Sequence, residues 1–470
     1  MKLHPLTKHL DSSKIKHWRD LYKLVIAICS FGVLNIWAFP HTIAMRNIFL
    51  SVGSILGLAL LISLGKKLLQ SRFFSMYLLL ALIAWMWVHY FAFPIAPEVA
   101  IKELKSTWLR VFLAIILGSA FGLYITQSRI LQNIALLSFS SLLLIYLFKY
   151  LFYSYSYGGL YNDGYFNGMF ISKAGGTYFL LWPFFISCAY IDYLTHQPFI
   201  FKEKFADRSY IFLMPTVFFG CFAAFYTLRS LNGLLIASIS TLVLITRISY
   251  SSFSKGRYIK LGVIFLSIFA IFFTLHNYSK RDGGKLYNIW SDVQIAAQID
   301  LHPNWRFYPD LPLVPKAPDG HPINASTYYR VANAIQGVRI IQAHPLGAGF
   351  TYLPYGLYLS ELYPGSTADH THSGWVDFTL GVGIPGLALF LSAIALALLN
   401  AHQIISSKKY FNPHQILWVY CSIWAIGGIT MAWIFLEVSE KEYIEHLIFM
   451  VCLFAAGTGT PILLSHKEKD

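Results

Sequence analysis

Charge is scarce in this chain. Asp, Glu, Lys and Arg supply 12% of its 470 residues, about half of the roughly 25% usual in a globular protein. Hydrophobic residues reach 56%, aromatics 17% and mean hydropathy +0.55, so an ordinary water-exposed surface is excluded. Acidic residues are scarcer than basic ones, 22 against 36, which leaves a net charge of +14. In a soluble protein that excess raises nucleic acid as a partner. In so apolar a chain it reads as basic cytoplasmic loops, and no nucleic-acid partner is expected. The five cysteines all lie in apolar stretches and show neither a disulfide framework nor metal-type spacing. Internal repeats and low-complexity tracts are missing too. Residues 1–23 are polar and basic for longer than a signal peptide, and no small-residue cleavage site follows the first apolar run. That run is expected to be a retained membrane anchor.

Long apolar runs are what the chain has instead. A bilayer demands spans of about 20 apolar residues, and helices are the open-chain structure that satisfies its own backbone in hydrocarbon. Twelve spans can be drawn: 22–40, 47–65, 74–94, 107–126, 130–152, 175–194, 209–228, 231–247, 258–276, 374–400, 415–436 and 444–464. The expectation is an all-α integral membrane protein with about twelve transmembrane helices and one long outer loop containing short helices. Residues 1–276 form an N-terminal membrane region of about nine helices, 277–373 the loop, and 374–470 a C-terminal membrane region of about three. Alternate connections hold Lys66, Lys67, Arg72, Arg129, Lys202, Lys204, Arg208, Arg247, Lys255, Arg257, Lys408 and Lys409, and both tails are basic. The opposite side holds Arg46, Lys102, Lys105, Lys173, Arg229 and Lys441. The positive-inside rule therefore puts both termini in the cytoplasm.

Loops longer than about 15 residues are usually functional or disordered, which singles out 277–373. Its first half, through Leu301-His302-Pro303-Asn304 to Pro318-Asp319-Gly320-His321-Pro322, reads as irregular. From Ala325 to Ala343, Val331, Ala334, Ile335, Val338 and Ile341 recur at helical spacing and predict an amphipathic helix on the outer membrane surface. Pro345 ends it, and Gly347 and Gly349 permit a turn. The run Lys280, Arg281 and Lys285 reads as a solvated or headgroup-facing patch. The acidic group Glu437, Glu440, Glu442 and Glu445 reads as keeping the last outer loop in water.

The densest chemical cluster is Asp369-His370-Thr371-His372-Ser373-Gly374-Trp375, where the loop re-enters the membrane. His372-Ser373, nine residues and then Gly383 to Gly386 resembles the signature of bacterial O-antigen ligases. The upstream Ala343-His344-Pro345-Leu346-Gly347-Ala348-Gly349 is similar to the family's element in which His-Pro is followed by Gly-x-Gly. The motifs cover about a tenth of the chain, with the order of parts over some 250 residues fitting as well. O-antigen polymerases and bacterial protein O-oligosaccharyltransferases share much of this region.

The resemblance implies a metal-independent, inverting transfer of a glycan from an undecaprenyl-diphosphate carrier to a hydroxyl of the lipid A core, on the periplasmic face of the inner membrane. No cofactor is expected; the partners are the lipid-linked donor, the lipid A-core acceptor and membrane lipids. The residues suit such chemistry. A departing diphosphate needs charge neutralisation, which guanidinium groups provide, and an attacking sugar hydroxyl gains from a base. His372 is the candidate base, being largely neutral near pH 7 at its ordinary pKa of about 6.5. The bland alternative is a helix cap or headgroup contact. His370 is a candidate to position His372 or contact substrate, and Asp369-x-His-x-His leaves open a metal-ligand reading.

Arg229, between two apolar runs in Tyr226-Thr227-Leu228-Arg229-Ser230, needs water or an anion, since an Arg in hydrocarbon costs roughly 2.5–3.5 kcal/mol. Snorkelling to the interface would meet that need. The resemblance instead assigns it to the donor diphosphate, although Leu-Arg-Ser replaces the family's usual Ser-Arg-Gly. Arg330 is expected at the start of the loop helix as a second diphosphate ligand. Arg339, nine residues on, is about 900° away and thus on the opposite face; it is a headgroup or further substrate contact. Gly381, Gly383 and Gly386 are expected to allow close helix contact, with Pro385 bending the helix. A transporter or flippase of lipid-linked sugars is the rival from another class, but such proteins tend to show repeats and midplane charges.

Overall fold

The computed structural model describes residues 12–69, 73–126, 128–161, 166–196, 205–250, 257–281, 288–307, 314–318, 320, 322–406, 413–436 and 441–467. Every one of the twelve apolar runs is helical. The N-terminal helices are α1 Ser12–Ile36, α2 Ile43–Leu64, α3 Phe74–Ala92, α4 Pro97–Glu103, α5 Leu109–Ile125, α6 Arg129–Ser156, α7 Lys173–His196, α8 Phe205–Thr227, α9 Leu231–Tyr250 and α10 Arg257–Arg281. After the loop helices come α14 Gly374–Ser406, α15 Pro413–Ala432 and α16 Lys441–Lys467. Among the described residues, eight helices are long and apolar enough to cross a membrane. A π-helical turn over Leu104–Trp108 joins α4 to α5, so the fourth span begins nearer Pro97 than residue 107.

The core follows from small residues placed where helices cross. Gly118 and Gly122 of α5 lie against the backbone carbonyls of Phe449 and Leu453 of α16, leaving no room for a Cβ. All five cysteines are free and buried, in keeping with their apolar surroundings. At the end of the bundle that carries the loop, Glu445 is fully buried and pairs with Arg110 at 2.6 Å and Arg46 at 3.7 Å, while Glu442 pairs with Arg46 at 3.0 Å. This corrects the solvation role expected of Glu442 and Glu445: an intramembrane charge is tolerated when paired with its opposite. At the other end, buried Asp192 accepts hydrogen bonds from Arg247 at 2.7 Å and Trp424 at 2.8 Å. Glu437, Glu440, Lys285, Asp319, His321, Arg72, Lys202, Lys204, Lys255, Lys408 and Lys409 lie outside the described residues.

The loop is more regular than its composition suggests. Its first half holds α11 Ile289–Ala296 and a 3₁₀ turn, Pro303–Phe307, before α12 Ala325–Ala343 and α13 Pro354–Leu362. Trp305 makes the 3₁₀ turn a packing element: its indole donates to the Ile299 carbonyl at 3.1 Å, and its backbone N–H donates to the Tyr328 hydroxyl. The α12 bounds match expectation, but the buried face does not. Tyr328, Tyr329, Ala332, Asn333, Gln336, Gly337 and Ile340 are buried, whereas the predicted stripe of Val331, Ala334, Ile335 and Ile341 is half-buried and Val338 exposed. The reason is close approach. Gly337 lies so near Val376 and Thr371 that a Cβ would come within 3.0 Å of both.

Candidate functional site

Arg229 sits where a glycine is expected. Helix α8 ends in paired capping bonds, with the Arg229 N–H donating to the Tyr226 carbonyl at 3.1 Å and the Ser230 N–H to the Phe225 carbonyl at 2.9 Å. That is the Schellman pattern, whose left-handed residue is usually Gly. Here Arg229 holds it at φ +52°, at a cost of roughly 1–2 kcal/mol for an L-residue. The next residue, Ser230, caps α9: its hydroxyl accepts from the Gly233 N–H at 3.1 Å. The half-buried Arg229 is thus set on a bonded three-residue hairpin beside the positive end of a helix.

His372 is built in the same way. Its φ is +63°, and Ser373 follows as the residue whose carbonyl accepts the first bond of α14, from the Asp377 N–H at 2.9 Å. Asp377 reaches back to accept from the Thr371 N–H at 2.9 Å, which closes the turn on both sides. His370 lies edge-on to His372 with ring centroids 4.2 Å apart, and its Nδ1 hydrogen-bonds Asp369. The Asp369 carboxyl is held below its usual range, first by that hydrogen bond and also by the His370 and His372 charges. Asp369, His370 and His372 therefore form one coupled chain. Among the described residues no cluster of three His, Cys, Asp or Glu side chains is arranged to hold a metal ion.

One short turn ties these elements together. After α15, the Trp433 carbonyl accepts from the Gly374 N–H at 2.8 Å, two residues past His372. The Phe435 carbonyl accepts from Asn232 Nδ2 at 2.9 Å, three residues past Arg229, and from Arg330 Nη1 at 3.4 Å. Arg229, Arg330 and His372 thereby belong to segments anchored on residues 433–435. Arg330 is the sixth residue of α12, behind the Asn324 cap, so it does not begin the helix, and its Nε donates to Ser326 at 3.2 Å. Arg339 is elsewhere: it forms a bidentate pair with Asp300 at 2.8 and 2.9 Å on the exposed surface. Asp300 is held below its usual range by that contact.

The His344-Pro345 segment explains the glycines. Helix α14 breaks at Gly383, with φ 71° and ψ 176°, and the loop backbone lies in the break. Ala348 and Gly349 N–H groups donate to the Leu380 and Gly381 carbonyls at 2.8 and 2.9 Å, and the Ile384 N–H donates to the Pro345 carbonyl at 2.8 Å. Gly381 and Gly383 therefore make room for this backbone strap, a correction to the helix contact expected of them. Three residues from the N-terminal half hold the strap, the residues just after it and the break in α14. His89 Nε2 lies 3.1 Å from the Gly347 carbonyl, Trp85 donates to the Val382 carbonyl at 2.7 Å, and Glu103 accepts from Thr351 and Tyr352 at 2.6 to 3.0 Å. His89 and Glu103 are buried; an imidazole inside the apolar run 74–94 was a sequence signal for His89, whereas Glu103, between Lys102 and Lys105, carried none. A cavity of about 560 Å³ opens beside the strap, lined by Phe93, Ile95, His344 and Leu346.

Residues 216–391 match the family model described as O-antigen ligase. No curated protein matches the chain. The matched stretch contains Arg229, Arg330, His344 and His372 and runs from α8 through the break in α14, and it supports a membrane glycosyl-transfer enzyme.

Proposed function

We propose, from the match of residues 216–391 to the O-antigen ligase family model, that the protein moves a glycan from an undecaprenyl-diphosphate carrier to a hydroxyl of the lipid A core. The proposed setting is the periplasmic face of the inner membrane, with both termini cytoplasmic. One observation carries the reading: two arginines and a histidine of the family region belong to segments anchored on the same turn, residues 433–435.

In the proposed reaction His372 accepts the proton of the acceptor hydroxyl as its oxygen attacks the anomeric carbon of the donor. A carbon–oxygen bond forms on one face while the bond to diphosphate breaks on the other, so the anomeric configuration inverts. The departing electron pair stays on the diphosphate, whose charge Arg229 and Arg330 neutralise in forked, charge-assisted hydrogen bonds. No metal takes part in this scheme. Asp369 and His370 orient His372 and share the positive charge it acquires.

Purified protein in liposomes, given lipid-linked glycan and lipid A-core, tests the proposal. Glycosylated lipid A-core with release of polyprenyl diphosphate is expected. Extension of the donor's own glycan would point to a polymerase. Movement of the carrier across the bilayer with no transfer would overturn the reading.

A further inference from the structure

Two polar contacts from neighbouring helices reach the Arg229 hairpin: Tyr278 of α10 donates to the Arg229 carbonyl at 3.4 Å, and a buried hydroxyl pair joins it to α7. Thr177, in the first turns of α7, and Ser230, the residue after Arg229, are 1% and 2% exposed, and their hydroxyl oxygens are 2.6 Å apart. The direction of each bond follows from the protons available. Thr177 donates to the Lys173 carbonyl at 2.9 Å, so its oxygen is left to accept and Ser230 to donate. The Ser230 oxygen then accepts from the Gly233 N–H at 3.1 Å. Each donated proton in this chain finds an acceptor, and at 1% and 2% exposure a lost partner would leave a buried hydroxyl unsatisfied.

The contact is close by construction. Gly176, next to Thr177, leaves no space for a side chain because Leu228 and Phe170 occupy it, so α7 meets the hairpin on both sides of Arg229. A left-handed Arg persists only where its surroundings over-determine it. The Schellman bonds settle the end of α8 and the Ser230 cap settles the start of α9, but both lie within the hairpin. From outside it, Tyr278 bonds the Arg229 carbonyl, and Thr177 is the described residue of another helix that bonds the Ser230 side chain.

We propose that Thr177, acting through Ser230, is a positioning residue that holds Arg229 where it grips the diphosphate of a polyprenyl-linked donor. This rests on the diphosphate-binding role proposed above for Arg229. Thr177→Val keeps the shape of the side chain and removes the hydroxyl, leaving the Ser230 O–H without its acceptor.

The test is the binding of a short-chain polyprenyl diphosphate to the purified full-length protein, alongside the KM for donor and for acceptor. Thr177→Val should weaken diphosphate binding and raise donor KM about tenfold, the loss of one buried hydrogen bond, with acceptor KM unchanged. Thr177→Ser, which retains the hydroxyl, should restore both. Thr177→Ala removes the hydroxyl without adding bulk and should reproduce the loss should the valine protein fail to fold. Wild-type diphosphate affinity in Thr177→Val and Thr177→Ala, or a Thr177→Ser protein as weak as the valine one, overturns the inference while leaving Arg229 as a ligand. Wild-type affinity in Arg229→Ala would instead overturn the underlying reading, and the inference with it.

Discussion

Arg229 and His372 share a backbone conformation: φ is +52° at one and +63° at the other, and each immediately precedes a serine at the start of a helix, Ser230 before α9 and Ser373 before α14. Left-handed residues other than glycine are uncommon, and Asn, Asp and His tolerate the region better than most. Two such residues, both in matching positions, place a cation and an imidazole at helix N-termini on short, fully bonded turns. The strain is the cost of having a functional side chain where glycine would be the easier choice.

That strain gives a test that separates function from folding. Replacing Arg229 with Gly relieves the left-handed penalty and keeps the Schellman bonds. The thermal midpoint of the detergent-solubilised protein should hold or rise, by the equivalent of about 1 kcal/mol. Glycan transfer should nevertheless fall on the order of 10²–10³-fold, as when one preorganised charge-stabilising group is lost. A glycine variant that transfers glycan at the wild-type rate would remove Arg229 from the mechanism.

His372→Ala should insert and fold, because α14 is still opened by Ser373 and closed by the Asp377 bond to Thr371. Transfer should drop about 10²- to 10⁴-fold, the range for loss of a general base, while donor binding stays intact. Wild-type amounts of glycosylated lipid A-core from the alanine protein would return His372 to the role of a helix-terminus residue.

Much of this was legible in the sequence, and each failure has its own physical cause. The apolar runs marked the helices because a bilayer leaves no other way to satisfy a backbone. The re-entry after His372-Ser373 marked the start of α14, while the glycines beyond it were read as helix contacts and Pro385 as the bend, so the break at Gly383 was not foreseen. Periodicity misjudged α12, since it reports hydrophobic side chains and the buried face there is tyrosine, asparagine and glycine, chosen for close approach to Thr371 and Val376. Helix α13 went unseen because nine residues are too few for a periodic signal. The turn at Trp433 and Phe435 was invisible for another reason: it works through backbone carbonyls, which every residue has.

The coupled chain from Asp369 to His372 predicts a pH response. Neutral His372 is the active form, so activity should rise with pH as the histidine pair loses its proton. A carboxylate favours the protonated pair, just as the pair's charge holds Asp369 below its usual range. Asp369→Asn removes that support, the histidines deprotonate more readily, and the acid limb of the transfer profile should move to lower pH. Initial rates across the range from about pH 5 to 8, where histidine ordinarily titrates, would reveal the shift. An unmoved or upward-shifted limb would exclude Asp369 as an electrostatic partner of the base.

Gly383 is where the loop enters α14, and its substitution should be the most damaging glycine change in the chain's last third. At φ 71° and ψ 176° it occupies a region that is essentially glycine-only, and an added Cβ would run into the Leu346 backbone, which has no flexible end to move aside. Gly383→Ala must therefore either refold the break or expel the strap of residues 345–349, losing the Ile384 bond to Pro345 as well. The expected penalty is roughly 2–4 kcal/mol, at the upper end of single substitutions, seen as a lower thermal midpoint and as new protease sensitivity near His344. Gly427→Ala in α15 is the matched control: no atom lies within 4 Å of its added Cβ, and alanine in a helix interior is favoured over glycine by about 0.5–1 kcal/mol. The two variants should move stability in opposite directions. If Gly383→Ala were as stable as the control, the break in α14 would not depend on a left-handed residue, and the glycine spacing after His372 would need another physical cause.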